Sequence, residues 1–219
     1  MYKAAIFDLD GLLIDSERAI RDAWLQVARR NNVALTEAEY LRVVGRNKAD
    51  SKAILGEIFR GSVSFEEARR CVDILLVESD AARGYGVKPG AVALLTRLRA
   101  QAVPCGVASS TRISEVRRRL DHSVLLAFFG AICGGDEVAR GKPDPELFLL
   151  ASERLGIEPQ DCLVFEDSEH GAIGAVAAGM SVVVVPDLKA PNAEVRANCV
   201  AVLESLNQAL PLCEAWFAG

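Results

Sequence analysis

Side chains that could handle a phosphate ester stand at four places in the chain, each at or shortly after the end of an apolar run. They are Asp8 and Asp10, Ser109 and Ser110, Lys142, and Glu166 and Asp167. Carboxylate oxygens are ligands that Mg²⁺ prefers, and Mg²⁺ often keeps positions open for substrate phosphate oxygens. Serine hydroxyls and a lysine ammonium are donors that suit the same phosphate. If folding brings these places together, the predicted chemistry is Mg²⁺-assisted phosphoryl transfer.

Asp8 is the candidate nucleophile, because a carboxylate can attack phosphorus and divide one difficult displacement into two through an aspartyl-phosphate. Asp10 could protonate the leaving alcohol and later accept a proton from the attacking water. Crowded carboxylates repel each other, by roughly 4 kcal/mol for a pair about 4 Å apart at an effective dielectric of about 20. The acidic cluster therefore predicts positive charge among its members, from Lys142 and a bound cation.

The elements that must gather these residues are short strands of a buried sheet. Apolar runs without polar alternation occur at the start of the chain and at 103–109, 130–135, 162–167 and 181–186. Such runs are typical of parallel strands buried on both faces, and helical patterns stand between them. The alternation predicts an α/β fold with a doubly wound, Rossmann-like parallel sheet. Ligands of such sheets bind outside the carboxyl ends of the strands.

Residues 15–86 interrupt this alternation with helical patterns only. Ile20, Ala23, Trp24, Val27 and Ala28 follow the spacing of one amphipathic helix face, and further helical segments come after them. We therefore expect a discontinuous α/β core of residues 1–14 and 87–219, with residues 15–86 inserted as a helical cap subdomain.

Composition narrows the class of partner. The net charge of -5 argues against general binding to nucleic acid or anionic membranes, which requires a basic surface. The six cysteines are scattered without a C-x-x-C pair, which favours buried structural thiols. The first residues do not resemble a secretory signal, so we expect a cytoplasmic protein. The expected partner is a small phosphate ester, and the expected state is a monomer or a weak homo-oligomer.

Four ordered motifs carry a family resemblance: "DLDGLLIDSE", "VASST", "GKPDP" and "VFEDSEHG". Together they resemble the signature motifs of the haloacid dehalogenase superfamily of phosphohydrolases. The helical insertion resembles the family's small cap type, found in β-phosphoglucomutase, phosphoglycolate phosphatase and sugar-phosphate phosphatases.

The resemblance implies a role for each predicted site residue. Asp8 would be the nucleophile and Asp10 the general acid/base, while Ser109 and Lys142 would bind phosphate. The resemblance also implies the ligands of Mg²⁺: the Asp8 side chain, the Asp10 backbone carbonyl and Asp167, with Glu166 helping directly or through water.

The segment "VVGRNKAD" resembles the substrate-specificity loop of the cap, which makes Arg46, Asn47 and Lys48 candidates for binding the non-reacting end of the substrate. Ile20 stands where β-phosphoglucomutases carry a histidine. A Mg²⁺-dependent phosphatase acting on a sugar phosphate or a phosphorylated sugar acid is therefore favoured over a phosphomutase. A non-enzymatic receiver module, phosphorylated on aspartate, is a third alternative.

Several polar residues have competing interpretations at this point. Asp15 could cap the first helix or support catalysis. His170 could lie near the site, although helix capping or surface exposure is favoured. The run Arg117, Arg118 and Arg119 is interpreted as a solvent-exposed helix face in preference to a substrate clamp.

Overall fold

The structure is a computed structural model that describes residues 1–44 and 48–217, with every side chain in those ranges except those of 48, 49 and 80–83. The chain forms two compact units, one of Met1–Asp15 with Gly86–Gly219 and one of Ser16–Tyr85. No helix in the described ranges has both the length and the hydrophobicity needed to cross a bilayer.

The first unit contains a parallel sheet. Numbered along the chain, its strands are β1 (Ala4–Phe7), β2 (Cys105–Ser109), β3 (Ala131–Gly134), β4 (Cys162–Glu166), β5 (Ser181–Val184) and β6 (Ala201–Val202). The strand order is β3-β2-β1-β4-β5-β6, and all pairings are parallel. This sheet confirms the predicted fold class. The order reverses beside β1, and such a switch point opens a crevice at the carboxyl ends of the strands.

Helices are numbered along the chain in the same way. They are α1 (Ser16–Arg30), α2 (Glu37–Tyr40), α3 (Lys48–Ile58), α4 (Phe65–Arg83), α5 (Ala91–Ala100), α6 (Ile113–His122), α7 (Glu146–Leu155), α8 (Glu169–Ala177), α9 (Ala193–Asn198) and α10 (Cys213–Phe217), with short 3₁₀ segments at Leu126–Phe128, Pro159–Asp161 and Leu206–Leu212. Every residue of β1, β2, β3 and β4 is buried. This explains why those strands appear in the sequence as continuous apolar runs.

The structure adds one strand to the five that the sequence predicts. β6 is only two residues long, and both residues are half-buried at the edge of the sheet. β6 lies within the apolar run 199–203, which is too short for periodicity alone to distinguish a strand from a helix segment.

A tight turn follows the central strand β1. Gly11 adopts φ 89°, a left-handed conformation that favours glycine, and its N–H donates to the Ile14 carbonyl at 2.9 Å. Ile14 then pairs antiparallel with Val87, and the Lys88 N–H donates to the Leu13 carbonyl at 2.9 Å. The chain segments that leave and re-enter the α/β unit are thus bonded to each other, close to the carboxyl end of β1.

The second unit has its own hydrophobic core, built around Trp24 of α1. The Trp24 ring meets Phe59 edge-on at 5.7 Å and stacks near Phe65 at 5.8 Å between centroids. Ala23, Val27 and Ala28 are buried in the same cluster, whereas Ile20 packs against it half-buried. Helix α1 therefore uses the face that its sequence spacing indicates.

Removing the Phe59 ring should destabilise the helical unit. Phe59 is fully buried, so Phe59→Ala should lower the free energy of unfolding by about 3–5 kcal/mol through lost burial and a cavity. The chain contains two tryptophans. Denaturant unfolding in a Trp216→Phe background would therefore report on Trp24 alone.

The control for this experiment is Val77→Ala. Val77 lies on α4 with 65% of its surface exposed, and its truncation should change stability by less than about 0.5 kcal/mol. Equal shifts for Phe59→Ala and Val77→Ala would contradict the packing described for Trp24 and Phe59.

Candidate active site

The carboxyl ends of three neighbouring strands place the predicted site residues. Asp8 directly follows β1, and its N–H donates to the Phe165 carbonyl of β4 at 3.0 Å. Ser109 ends β2 and Glu166 ends β4. Lys142 belongs to the segment between β3 and α7. The switch point in strand order therefore gathers four groups that are far apart in the chain.

Lys142 lies between two carboxylates. Its Nζ is 2.5 Å from Asp8 Oδ1 and 2.5 Å from Glu166 Oε1. The ammonium also lies 4.8 Å from the centroid of the Phe148 ring. The exposed side-chain fractions of Lys142, Asp8 and Glu166 are 5%, 9% and 0%. Such a buried group is stable only when each charge is paired, and removing one partner typically costs about 3–5 kcal/mol.

The electrostatics of this group favour a charged lysine. Burial alone would lower the pKa of Lys142, but the Asp8 and Glu166 carboxylates raise it above its ordinary value. Burial raises the pKa of Asp8 to about 8, an effect opposed by Lys142 and reinforced by Glu166 and Asp10. Burial therefore outweighs the contact with Lys142 in setting the direction of the Asp8 pKa.

Glu166 is held by donors on both of its oxygens. Oε1 accepts from Lys142, and Oε2 accepts from the Asp167 N–H at 3.0 Å, the Ser168 N–H at 3.1 Å and the Ser168 hydroxyl at 3.0 Å. Ser168 is also the N-cap of α8, where its hydroxyl accepts from the Gly171 N–H at 3.1 Å. Glu166 therefore fixes Lys142 in place by anchoring it to the start of α8.

Gly171 makes room for this carboxylate. A Cβ at position 171 would lie 1.9 Å from both Cδ and Oε1 of Glu166. Gly171 is needed for this close approach and not for a special backbone conformation, since its backbone is helical and has no positive φ.

Asp10 points to a different set of partners. Its Oδ2 accepts from the Thr111 hydroxyl at 2.8 Å and from the Ser109 hydroxyl at 3.3 Å, while its Oδ1 is paired with Arg119 of α6. Ser109 is buried and also accepts from the Thr111 N–H at 3.1 Å. In this structure Ser109 is therefore a contact of Asp10, whereas the next residue, Ser110, is exposed.

The prediction of a solvent-exposed arginine face is wrong for Arg119. Its side chain is only 11% exposed, whereas Arg117 two residues earlier is exposed. Arg119 immediately precedes the buried Leu120 and follows Glu115 by one helical turn. Helical spacing alone could have assigned Arg119 to the inner side of α6, although it could not have named Asp10 as its partner.

The remaining predicted residues have varied placements. Asp167 is half-buried, between β4 and the N-cap of α8. Asp15 is half-buried, and its N–H donates to the Gly86 carbonyl at 2.8 Å. His170 lies in the first turn of α8, and its buried Nδ1 has no hydrogen-bond partner among the described residues.

The cap prediction falls largely outside the described residues. Arg46 and Asn47 lie in the undescribed gap. Lys48 begins α3, and its side chain also lies outside the description.

No group of three or more His, Cys, Asp or Glu side chains forms a metal-binding cluster in the described part of the chain. The directions of the carboxylates account for this. The Lys142 ammonium lies between Asp8 and Glu166, and the Asp10 carboxylate is bonded to Thr111 and Arg119.

The fold and the site define a class before any comparison: a Rossmann-like α/β protein with an acidic, lysine-containing site at its switch point. A sequence model of the family described as "haloacid dehalogenase-like hydrolase" matches residues 2–179. The chain belongs to this family, which confirms the resemblance carried by the four motifs.

Curated relatives are phosphatases. The chain is 33% identical over 208 residues to hexitol phosphatase A of Escherichia coli (strain K12), covering 94% of this chain and 92% of that one. It is 32% identical over 212 residues to a phosphorylated carbohydrates phosphatase of Thermotoga maritima, covering 92% and 94%. The predicted enzyme class is thereby confirmed: the chain is a phosphoric monoester hydrolase.

Solved structures match this chain over nearly its full length. A haloacid dehalogenase family hydrolase of Deinococcus radiodurans R1, crystallised with bound phosphate and sodium, has a TM-score of 0.81 and 26% identity, covering 99% of this chain and 98% of that one. A Thermotoga maritima protein assigned as β-phosphoglucomutase has a TM-score of 0.80 and 30% identity, covering 97% and 99%.

A methyl group at position 171 should disturb the lysine anchor. Gly171→Ala would force the Glu166 carboxylate away from the start of α8, and each buried bond lost costs about 1–3 kcal/mol. We expect a lower melting temperature together with a loss of phosphatase activity. Both can be measured on the same preparation, by thermal denaturation and with p-nitrophenyl phosphate.

Gly56→Ala is the matched control, because a Cβ there meets only Phe65 Cβ at 3.8 Å, an ordinary contact. Gly56 lies inside α3, so alanine should be neutral or stabilise by up to about 1 kcal/mol. Wild-type activity in Gly171→Ala would show that Glu166 tolerates displacement.

Proposed function

We propose that the enzyme hydrolyses a small phosphorylated carbohydrate or sugar acid, with Mg²⁺ as cofactor and an aspartyl-phosphate on Asp8 as intermediate. The observation that carries this proposal is the buried pairing of Asp8 with Lys142 at the end of the central strand. The named relatives, a hexitol phosphatase and a phosphorylated carbohydrates phosphatase, support the substrate class.

Asp8 is suited to attack because one of its carboxylate oxygens is held. Oδ1 is bonded to Lys142, which leaves Oδ2 as the nucleophile. As Oδ2 bonds to phosphorus, the ester P–O bond breaks and the leaving oxygen takes a proton from Asp10. Water then attacks the same phosphorus, Asp10 accepts a proton from that water, and the P–O bond to Asp8 breaks. Inorganic phosphate leaves, and both aspartates regain their starting forms.

The residues present fit a divalent cation. Asp8 and Glu166 both contact the Lys142 ammonium, and Asp167 directly follows Glu166, so a divalent cation would offset the carboxylate charge that Lys142 leaves unbalanced. Asp8, the Asp10 backbone carbonyl and Asp167 would supply hard oxygen ligands, with Glu166 beside them. When bound, Mg²⁺ would offset the charge of the phosphoryl group. The Lys142 ammonium would also offset the charge of the phosphoryl group.

A phosphomutase is the second candidate, because one structural neighbour at 30% identity is assigned as β-phosphoglucomutase. Ile20 opposes this reading, since its hydrocarbon side chain packs half-buried against the helical core and cannot transfer protons. The receiver module is excluded by membership of a hydrolase family. We propose Arg46, Asn47 and Lys48 as the residues that set substrate preference.

Chelation tests the cofactor. Activity on p-nitrophenyl phosphate and on a panel of hexose, hexitol and sugar-acid phosphates should fall on the order of 10²-fold or more in EDTA, since a cation supplies several kcal/mol of transition-state stabilisation. Added Mg²⁺ should restore it. Unchanged turnover in EDTA would contradict the Mg²⁺ assignment, and isomerisation of a hexose 1-phosphate without phosphate release would favour the mutase.

Replacement of the nucleophile tests the intermediate. Asp8→Asn keeps the size of the side chain but removes the attacking carboxylate, so turnover should fall on the order of 10³-fold or more while the circular dichroism spectrum is unchanged. The matched control is Asp121→Asn, an exposed position at the end of α6, which should keep wild-type activity. Substantial turnover by Asp8→Asn would remove Asp8 from the nucleophile role.

A further inference from the structure

Both oxygens of the Asp10 carboxylate are engaged from the side of the sheet that carries β2 and α6. The Thr111 and Ser109 hydroxyls donate to Oδ2 at 2.8 and 3.3 Å, and Arg119 pairs with Oδ1 through Nη1. Ser109 ends β2 and Thr111 follows it, 99 and 101 positions from Asp10, and Arg119 lies on α6, 109 positions from Asp10. All three contacts are therefore made only by the tertiary fold.

Arg119 is itself held in a fixed direction. Its Nε donates to Glu115 Oε1 at 2.8 Å, one helical turn earlier, and the same carboxylate accepts from Arg118 Nη2 at 2.6 Å. A guanidinium that uses Nε for one partner and Nη1 for another has little rotational freedom left. The side chains of Arg119 and Asp10 are 11% and 16% exposed, so solvent screens their pairing weakly.

We propose that Arg119 is a positioning residue for Asp10: anchored to Glu115, it holds Oδ1. Oδ2 is then the oxygen that carries the transferred proton, because the Thr111 and Ser109 hydroxyls beside it can accept as well as donate. This inference rests on the proposed function, in which Asp10 is the general acid/base. A proton-transfer group works only within hydrogen-bond reach of the reacting oxygen, and a misplacement of about 1 Å can cost about 10²-fold.

The contact of Arg119 with Asp10 predicts which substrates are hydrolysed more slowly when Arg119 is replaced. Phenyl phosphate and p-nitrophenyl phosphate differ only in a nitro group, but phenolate is much the stronger base and needs a proton as it leaves. Arg119→Ala should therefore lower kcat/KM for phenyl phosphate at least about tenfold more than for p-nitrophenyl phosphate. Arg119→Met, which fills similar space without a donor, should show the same selective loss, so the test does not depend on the alanine variant folding.

A double variant links the effect to Asp10. Asp10→Asn alone should show the same selectivity against phenyl phosphate, and adding Arg119→Ala to it should lower kcat/KM little further. Arg117→Ala is the matched control, since Arg117 is an exposed arginine on the same helix and should leave both substrates unaffected.

The possible results distinguish a failure of the Arg119 role from a failure of the proposed function. Equal losses on both esters, higher activity on phenyl phosphate, or a further loss in the double variant would overturn the positioning role and leave the proposed function standing. A wild-type rate on phenyl phosphate in Asp10→Asn, or no hydrolysis of either ester by the unmodified enzyme, would overturn the proposed function and the positioning role with it.

Discussion

The site depends on one buried ammonium shared between two carboxylates. Lys142 contacts Asp8 on the central strand and Glu166 on the neighbouring strand, with almost no solvent access to any of the three. Charges buried in this way are costly to desolvate and tolerable only when paired, so each member constrains the other two. The geometry of Asp8 is thereby tied to the register of β1 against β4.

The surrounding structure serves to keep that ammonium in place. Glu166 is saturated with donors at the start of α8, and Gly171 allows the helix to approach the carboxylate closely. Phe148 lies beside the ammonium on α7. Strand β4 and helices α7 and α8 thus hold Lys142 in place, although Lys142 itself lies in neither a helix nor a strand.

Two aspartates that are two residues apart end in different environments. Asp8 faces Lys142 and Glu166 on the β4 side, whereas Asp10 faces Ser109, Thr111 and Arg119 on the β2 side. The turn that begins at Gly11 directly follows Asp10, so the chain leaves the strand direction there. Neighbouring carboxylates in unlike surroundings can take unlike roles, which suits a nucleophile beside a proton-transfer group.

Local pattern was enough to predict the sheet and several of the residues that its carboxyl edge brings together. Runs such as those of β1 and β4 are buried on both faces, and parallel strands all end at one edge, so Asp8, Ser109 and Glu166 were expected to meet. The resemblance of the motif "GKPDP" to a family motif added Lys142 to the residues expected to meet. The burial of a strand and the point where it ends are properties of short segments, so the pattern of apolar residues indicates them directly.

Only the tertiary structure decided which side chain pairs with which. Ser109 contacts Asp10, a partner that its motif did not indicate, and its phosphate-binding role stays a prediction. Arg119 was expected to face solvent, yet it pairs with Asp10. The edge strand β6 was likewise assigned only by the structure, because its apolar run at 199–203 fits a helix segment as well as a strand. The physical reason is the same in each case: residue type and spacing determine which face of an element is buried, whereas partners across the sheet depend on strand order and on rotamers chosen by packing.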